Sequence, residues 1–261
     1  MVYTPSALGL ATALRANASS AAQARQRGDA GADTRVCNVA HLRNDGSIAE
    51  VRHTIPVHPI FDAAFSAFAR GTLISTTDGP VAIEDLTPGM KVATNECGPS
   101  PVLWIGSMAM RQCENMPNPS SGTARLTRIM TGALGMGRPL TDVMTGPGAR
   151  IAQRSATQPG GAHSDQVLRP VHDMIDGTHV IALSPPGTVH LYHLALRRHA
   201  TITAAGLAFE TYHPGPGFEN NLNYQHLWQF IEMFPHIMRP ADFGSLAHPR
   251  APLARDGRAV S

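Results

Sequence analysis

Short runs in which apolar and polar residues alternate are separated by turn signals along much of the chain. Residues 36–39 and 48–51 are two such runs, with Asn44-Asp45-Gly46 between them. Asp-Gly between alternating runs predicts a β-hairpin, because the turn needs a positive φ that glycine adopts easily. Many short strands separated by such turns predict a mainly β protein. Further strands are predicted at residues 71–76, 81–83, 91–92, 102–105, 126–129, 180–183, 189–196 and 201–203.

One amphipathic helix is predicted near the C-terminus. Asn223 could cap this helix and Pro235 would stop it. The tail from Pro240 is rich in Pro and Arg and is expected to be irregular. Four large apolar residues recur there at the spacing of one helical face, namely Leu227, Phe230, Ile231 and Phe234.

Composition narrows the classes of function. The chain has 261 residues, of which 43% are hydrophobic, so a large core can be buried. The net charge is only +2, so nucleic acid is not expected as a partner. No run approaches the roughly 18 apolar residues of a membrane helix. Because no basic residue precedes the first apolar run, we expect a cytoplasmic protein, or one exported without a cleavable signal peptide.

Cysteine and histidine spacing indicates neither a disulfide framework nor a metal site. Three irregularly spaced cysteines, Cys37, Cys97 and Cys113, predict free thiols, with a Cys97–Cys113 bridge as the alternative. Neither a metal nor another cofactor is expected, because the histidines lack the spacing of zinc ligands. The nearest grouping of histidines is His172, His179, His190 and His193.

Two ordered blocks of residues resemble a known family. The first, within residues 65–94, carries Gly71-Thr72, then Asp78-Gly79, then Glu84-Asp85-Leu86 and Pro88-Gly89. The second carries Tyr192-His193, Arg198-His199, Gly206, Glu210-Thr211-Tyr212 and Pro214-Gly215. Together they make residues 65–215 similar to bacterial Hint (hedgehog/intein) domains.

The resemblance implies a curved, pseudo-two-fold all-β domain and a self-processing reaction. In such domains a Cys attacks the carbonyl that precedes it and forms a thioester by an N-to-S acyl shift. A His in a Thr/Ser-x-x-His element protonates the leaving nitrogen. Thiolate is the intrinsically nucleophilic side chain, and a positioned general acid contributes roughly 10²–10⁴ in rate.

This sequence departs from the family at both chemical positions. The Cys position, before Phe68, is occupied by Ala67. The His position is Ala149 when the alignment is anchored on Arg150, and Gly148 when it is anchored on Thr145. We therefore expect a catalytically silent protein that serves as a binding or structural accessory to an unknown protein partner, in an oligomeric state that the sequence leaves open.

Two alternatives remain. The chain could process itself before Ala67 with non-standard groups, releasing about 66 residues, or its Cys and His could have been replaced. Candidate substitutes are Ser66, Thr145 and His199. Ser66 is expected to point away from the site, because neighbours in an extended segment face opposite sides. His199 is expected to be a buried, hydrogen-bonded core residue.

The resemblance and the patterns together divide the chain into four parts. These are a flexible arm (1–35), a β-hairpin module (36–60), the Hint-like domain (61–216), and a C-terminal helix with its tail (217–261). Neither the hairpin nor the helix could bury a core alone, so both are expected to pack on the β domain.

Overall fold

The computed structural model describes residues 34–111, 125–154 and 166–251. Strand β1 (Thr34–Leu42) pairs with β2 (Ile48–Pro56) around the predicted turn, where Gly46 has a φ of 82°. The predicted arm, apart from its last two residues in β1, lies outside the described residues. So does Cys113, and with it the possible Cys97–Cys113 bridge. Cys37 and Cys97 are free thiols.

The described residues form thirteen further strands. Every predicted strand has a counterpart among these and the hairpin, although several bounds move by one to six residues. The strands are β3 (Phe68–Ala69), β4 (Leu73–Thr76), β5 (Gly79–Ala82), β6 (Lys91–Thr94), β7 (Gly98–Arg111), β8 (Leu126–Ile129), β9 (Val143–Thr145), β10 (Arg150–Arg154), β11 (Gln166–Pro170), β12 (Val180–Leu183), β13 (Thr188–Leu196), β14 (Thr201–Ala204) and β15 (Leu207–Glu210).

These strands pair antiparallel in one continuous, open sheet. Strand β7 is its central element, since its first residues pair with β6 and its later ones with both β13 and β1. The hairpin of β1 and β2 thus joins the sheet through β7. The order along the sheet is β11-β10-β15-β14-β4-β6-β7-β13-β3-β9-β8-β12.

Two α-helices and one face of the sheet enclose an aromatic core. The predicted C-terminal helix, α2 (Tyr224–Glu232), is capped by Asn223, whose side chain accepts from the amide of His226. The first helix, α1 (Pro59–Ala63), has no apolar repeat long enough to predict it, and begins at a His58 cap with Pro59 in its first turn. The Trp104 ring packs against Phe65, which follows α1, and against Phe234, which follows α2, and its indole Nε1 donates to the Met233 carbonyl at 2.6 Å.

A second apolar core lies on the other side of the sheet. Phe68, Ile74, Ile202 and Phe209 are fully buried in it. The hairpin residues Cys37, Val39 and Ile55 instead join the aromatic core with α2. Hairpin and helix therefore pack against the sheet. Three short 3₁₀ helices complete the described residues: Val171–Met174, Phe218–Asn221 and Pro240–Phe243. None of the described helices is long and apolar enough to cross a membrane.

The C-terminal segment is more ordered than its composition predicts. Residues 240–243 form a 3₁₀ helix, and Leu168 of β11 exchanges main-chain hydrogen bonds with Pro249 and Ala251 at 2.8 and 2.9 Å. The expectation of an irregular tail is therefore wrong at residues 240–243, whereas residues 244–251 are irregular apart from the bridge between Arg250 and Leu168. This pairing carries Arg250 back onto the sheet.

Candidate functional site

Main-chain hydrogen bonds hold the Ser66–Ala67 peptide against the segment that follows β9. The amide of Gly148 donates to the Ser66 carbonyl at 2.9 Å, and the amide of Gly146 donates to the Ala67 carbonyl at the same distance. The Ala67 amide donates to the Tyr192 carbonyl of β13 at 3.0 Å. The peptide that a self-processing domain would cleave is therefore hydrogen-bonded on both of its sides, to β13 on one side and to the turn after β9 on the other.

The segment after β9 has no room for side chains at its glycines. A Cβ atom on Gly148 would lie 2.6 Å from the Ala63 carbonyl oxygen and 3.0 Å from Ser66 Oγ. A Cβ atom on Gly146 would lie 2.3 Å from the Ser66 carbonyl oxygen. Both distances to main-chain oxygen are below any normal contact, so α1 and the residues after it occupy the space beside this segment.

Both positions that the resemblance assigned to chemistry are closed by apolar packing. Ala67 and Ala149 are each 1% exposed and belong to the second core, together with Phe68 and Ile151. Their methyl groups have no acid, base or nucleophilic function. The structure thus brings Ala67, Gly148 and Ala149 together, as the alignment implied. What meets there is main chain and methyl groups, with no reactive side chain from these three residues.

Ser66 does not point away from this segment, contrary to the sequence-based expectation. It follows the turn at residues 64–65 and precedes β3, so it is not part of a regular strand and the alternation of neighbouring side chains does not apply. Its Oγ would be 3.0 Å from a Cβ on Gly148, is fully buried and has no hydrogen-bond partner. Ser66 is therefore the predicted candidate that faces the junction.

Thr145 and His199 are committed to other contacts. The Thr145 hydroxyl donates to the Thr127 carbonyl at 3.2 Å. His199 Nδ1 accepts from the Ala247 amide at 2.9 Å, so its Nε2 carries the proton and donates to Glu210 at 3.0 Å. With both ring nitrogens occupied, His199 is placed as a buried, hydrogen-bonded residue.

Glu210 is the centre of a buried charged cluster. Its side chain is 2% exposed and accepts from Arg250 Nη2 at 2.8 Å and from Arg250 Nε at 3.0 Å, besides His199. Arg150 Nη1 lies 3.9 Å from its other oxygen. Burial alone would raise the pKa of Glu210, but the His199 hydrogen bond and the charge of Arg250 hold that pKa below its usual value. The carboxylate is therefore ionised and paired.

The Hint domain family model matches residues 66–216, more than half of the chain. The chain belongs to the Hint domain family. The match begins at Ser66, beside the Ala67 junction, and ends soon after Glu210. It confirms the family that the motifs predicted, and with it the all-β Hint fold.

Two solved structures are similar to this Hint domain at low sequence identity. One is a bacterial intein-like domain from Clostridium thermocellum, with 16% identity and a TM-score of 0.36. The other is an AceL NrdHF class 3 split intein in a GSH-linked, splice-inactive variant, with 12% identity and a TM-score of 0.35. Each comparison covers 57% of this chain and 99% of the other. No curated protein is significantly similar to the chain.

A cavity of about 300 Å³ opens beside the closed junction of the Hint domain. It lies between α1, Gly148 and the cluster around Glu210. Among the described residues, no three His, Cys, Asp or Glu side chains are grouped as metal ligands would be. The cavity is lined by Pro59, Ile60, Ala63, Gly148, Arg150, His193, Glu210, Tyr212, His213, Pro214 and Arg250.

Two neutral histidines and one tyrosine complete the cavity wall. Burial lowers the pKa of His193 to about 3 and that of His213 to about 4. Tyr212 is 6% exposed, and its hydroxyl is buried without a hydrogen-bond partner. Burial raises the pKa of this hydroxyl well above its usual value, so it remains protonated and able to donate.

Sequence reasoning missed most of this cluster. Glu210 and Tyr212 stood in the second motif, and Arg150 served only to anchor the alignment. Nothing in the sequence pattern pointed to Arg250, because its role depends on the pairing of residues 249–251 with β11. The one available signal was that the second motif carries both His199 and Glu210.

Proposed function

We propose that this Hint domain does not process itself and serves as a binding scaffold. The observation that carries the proposal is the absence of space at Gly148, where a Cβ would meet the Ala63 carbonyl oxygen at 2.6 Å. Together with Ala67, this leaves the junction without the thiol and without the acid that an acyl shift requires.

The same packing favours a natural non-processing member over a chain whose catalytic residues were replaced. Removing a large side chain from an otherwise unchanged site leaves a cavity, because the surroundings relax only partly. At Gly148 an added Cβ would overlap a main-chain carbonyl oxygen, so no cavity remains there. The same is true at Gly146. The carbonyl oxygens of α1 and of the residues after it therefore lie where only glycine leaves room, at both positions.

Self-processing through Ser66 is the second candidate, and one observation favours it. Its buried Oγ has no partner, while the Gly148 amide donates to its carbonyl oxygen. Attack by Oγ on the carbonyl of its own residue would need a strained four-membered ring. An N-to-O shift at Ser66 would instead use the Phe65 carbonyl through a five-membered ring, and would cleave before Ser66 and not before Ala67.

The two candidates are separated by production of the chain with a tag at each end. We expect only the full-length species in the wild type and in Ser66→Ala, Thr145→Ala and His199→Ala. If processing occurs, fragments ending at Phe65 or Ser66 appear in the wild type, and the variant that removes the acting group abolishes them. That pattern would overturn the proposal.

A further inference from the structure

Strand β2 forms a long open edge of the sheet. It pairs with β1 on one side, and no other strand of the described residues pairs with its outer side. The edge strands β5 and β12 have only four residues each, and β11 is covered at Leu168 by residues 249–251. An open edge of nine residues presents unpaired N–H and C=O groups, which are a template for pairing with another chain.

The even-numbered residues of β2 direct their main-chain groups outward. The Arg43 amide donates to the Ser47 carbonyl at 2.8 Å, so the odd-numbered residues of β2 bond to β1, because bonded pairs alternate along an antiparallel ladder. The Thr54 carbonyl agrees with this alternation, since it accepts from Gln229 Nε2 of α2 at 2.8 Å, outside the hairpin. The open part of the edge therefore runs over residues 48–52.

Three side chains of this open part are uncovered. Glu50 and Arg52 lie on one face of the strand and Val51 lies on the other. Val51 is 41% exposed, although Ala49 and Ile55 on the same face are buried. Glu50 and Arg52 are exposed, and neither has an ion-pair partner among the described residues. One apolar side chain and two opposite charges thus lie along an open strand.

We propose that β2 pairs antiparallel with β2 of a second copy of this chain, about a two-fold axis through Val51. Glu50 of each copy then lies opposite Arg52 of the other, and each such pair exchanges two main-chain hydrogen bonds. The two Val51 side chains meet on the opposite face, as a non-hydrogen-bonded pair whose side chains approach closely. The hairpin precedes residues 66–216 of the family match, so this interface is a feature beyond the proposed function.

The charge pattern selects both the register and the occupant. An axis through Glu50 would oppose two carboxylates, and an axis through Arg52 would oppose two guanidinium groups, which destabilises cross-strand pairs. A shift by one residue would set outward main-chain groups against inward ones. A two-fold interface must be self-complementary, and the Glu50-Val51-Arg52 order meets this condition when it is read antiparallel.

The test is sedimentation velocity of the full-length protein over a range of about 1–300 µM. Two strands that pair over about five residues form an interface smaller than the standard of about 1,600 Å². We therefore expect a reversible dimer with a Kd of about 10–100 µM.

Charge reversal tests the register. Glu50→Arg gives each edge two arginines and Arg52→Glu gives it two glutamates, so each variant should raise the Kd for its own dimer at least about tenfold. An equimolar mixture of the two variants restores opposite charges at both cross-strand pairs. With a fluorescent label on one variant, the mixture should form a heterodimer with the Kd of the wild-type dimer. A folding defect could not be repaired by mixing.

Matched controls are Asp78→Arg and Arg198→Glu, which reverse charges at exposed positions outside β2. Alone or mixed, they should leave the Kd of the dimer unchanged. A wild type that stays monomeric over the whole range overturns the inference and leaves the edge to an extended segment of another protein. A dimer whose Kd neither reversal in β2 changes, or a mixture that forms no heterodimer, also overturns it.

Discussion

The main-chain amide of Gly148 donates a hydrogen bond of 2.9 Å to the carbonyl oxygen of Ser66. This bond brings two main-chain segments together at the point where a self-processing Hint domain needs side chains. The approach is possible because residue 148 is glycine, since a Cβ would overlap the Ala63 carbonyl. The glycine at position 148 and the tight packing at the junction are therefore one structural feature.

The first prediction concerns this packing. Gly148→Ala should lower the free energy of unfolding by about 2 kcal/mol or more, because the added methyl must displace the Ala63 carbonyl or the Ser66 side chain. Ala182→Val adds bulk at an exposed strand position and should change stability by less than about 0.5 kcal/mol. Urea unfolding of both variants and the wild type measures the difference. Equal free energies of unfolding for Gly148→Ala and the wild type would show that the junction can accommodate a methyl group at position 148.

The second prediction concerns the buried charge of Glu210. Glu210→Gln removes the buried carboxylate that accepts hydrogen bonds from Arg250 and lies near Arg150, and leaves the mostly buried Arg250 guanidinium without its paired anion. Breaking such a buried pair from one side should cost about 3–5 kcal/mol of unfolding free energy. Glu50→Gln, at an exposed position, is the matched control. A loss no larger than that of the control would mean that Glu210 does not organise the cluster.

The sequence predicted the elements whose signals are local. The hairpin around Asp45-Gly46 and the helix capped by Asn223 are both present. The helix α1 was missed, because its five residues hold no full apolar repeat and its order depends on burial of Phe61 in the aromatic core. The strand β11 carried no distinctive alternation either.

At the candidate site, the sequence predicts which two positions lack the family's Cys and His, but not the side chains that surround them. Ala67 and Ala149 could be assigned from the motifs, and the structure places both in the second core. Ser66 Oγ lies beside Gly148 and does not point away from it, because residue 66 is not part of a regular strand in which neighbouring side chains alternate. The cluster around Glu210 could not be foreseen, since Arg250 reaches it across 40 residues of sequence.

The third prediction compares the two tryptophans. Trp104→Phe removes the hydrogen bond to the Met233 carbonyl and part of a ring that stacks on Phe234 at a centroid distance of 4.6 Å. We expect a loss of about 2–4 kcal/mol in unfolding free energy. The control is Trp228 of helix α2, which is 49% exposed. Trp228→Phe should therefore leave the free energy of unfolding nearly unchanged. Thermal and urea unfolding of the two variants measure both effects.

The fourth prediction is a pH dependence of stability from His193. Burial is the main cause that lowers its pKa to about 3, while the charge of Glu210 acts in the opposite direction. The unfolded chain protonates this ring below its ordinary pKa of about 6.5, whereas the folded chain does not until about pH 3. The contribution of His193 to the free energy of unfolding is therefore complete above about pH 6.5. It is lost as the pH falls towards about 3, by up to about 1.4 kcal/mol per pH unit.

Urea unfolding of the wild type at pH 7, 5.5 and 4 measures this slope. His193→Gln should reduce it, because glutamine does not titrate in this range. The exposed residue His190, three positions away on β13, supplies the control His190→Gln, which should leave the slope unchanged. A slope that His193→Gln does not alter would show that His193 is not buried in its neutral form.

The most direct test of the account is the intact mass of the doubly tagged chain over several days, with and without hydroxylamine. Hydroxylamine cleaves any ester or thioester that forms at the junction, so it also captures an acyl shift that goes no further. We expect one full-length mass in both conditions. A pair of masses that together make up the chain, with a break before Ser66 or before Ala67, would contradict it and show that this Hint domain still processes itself.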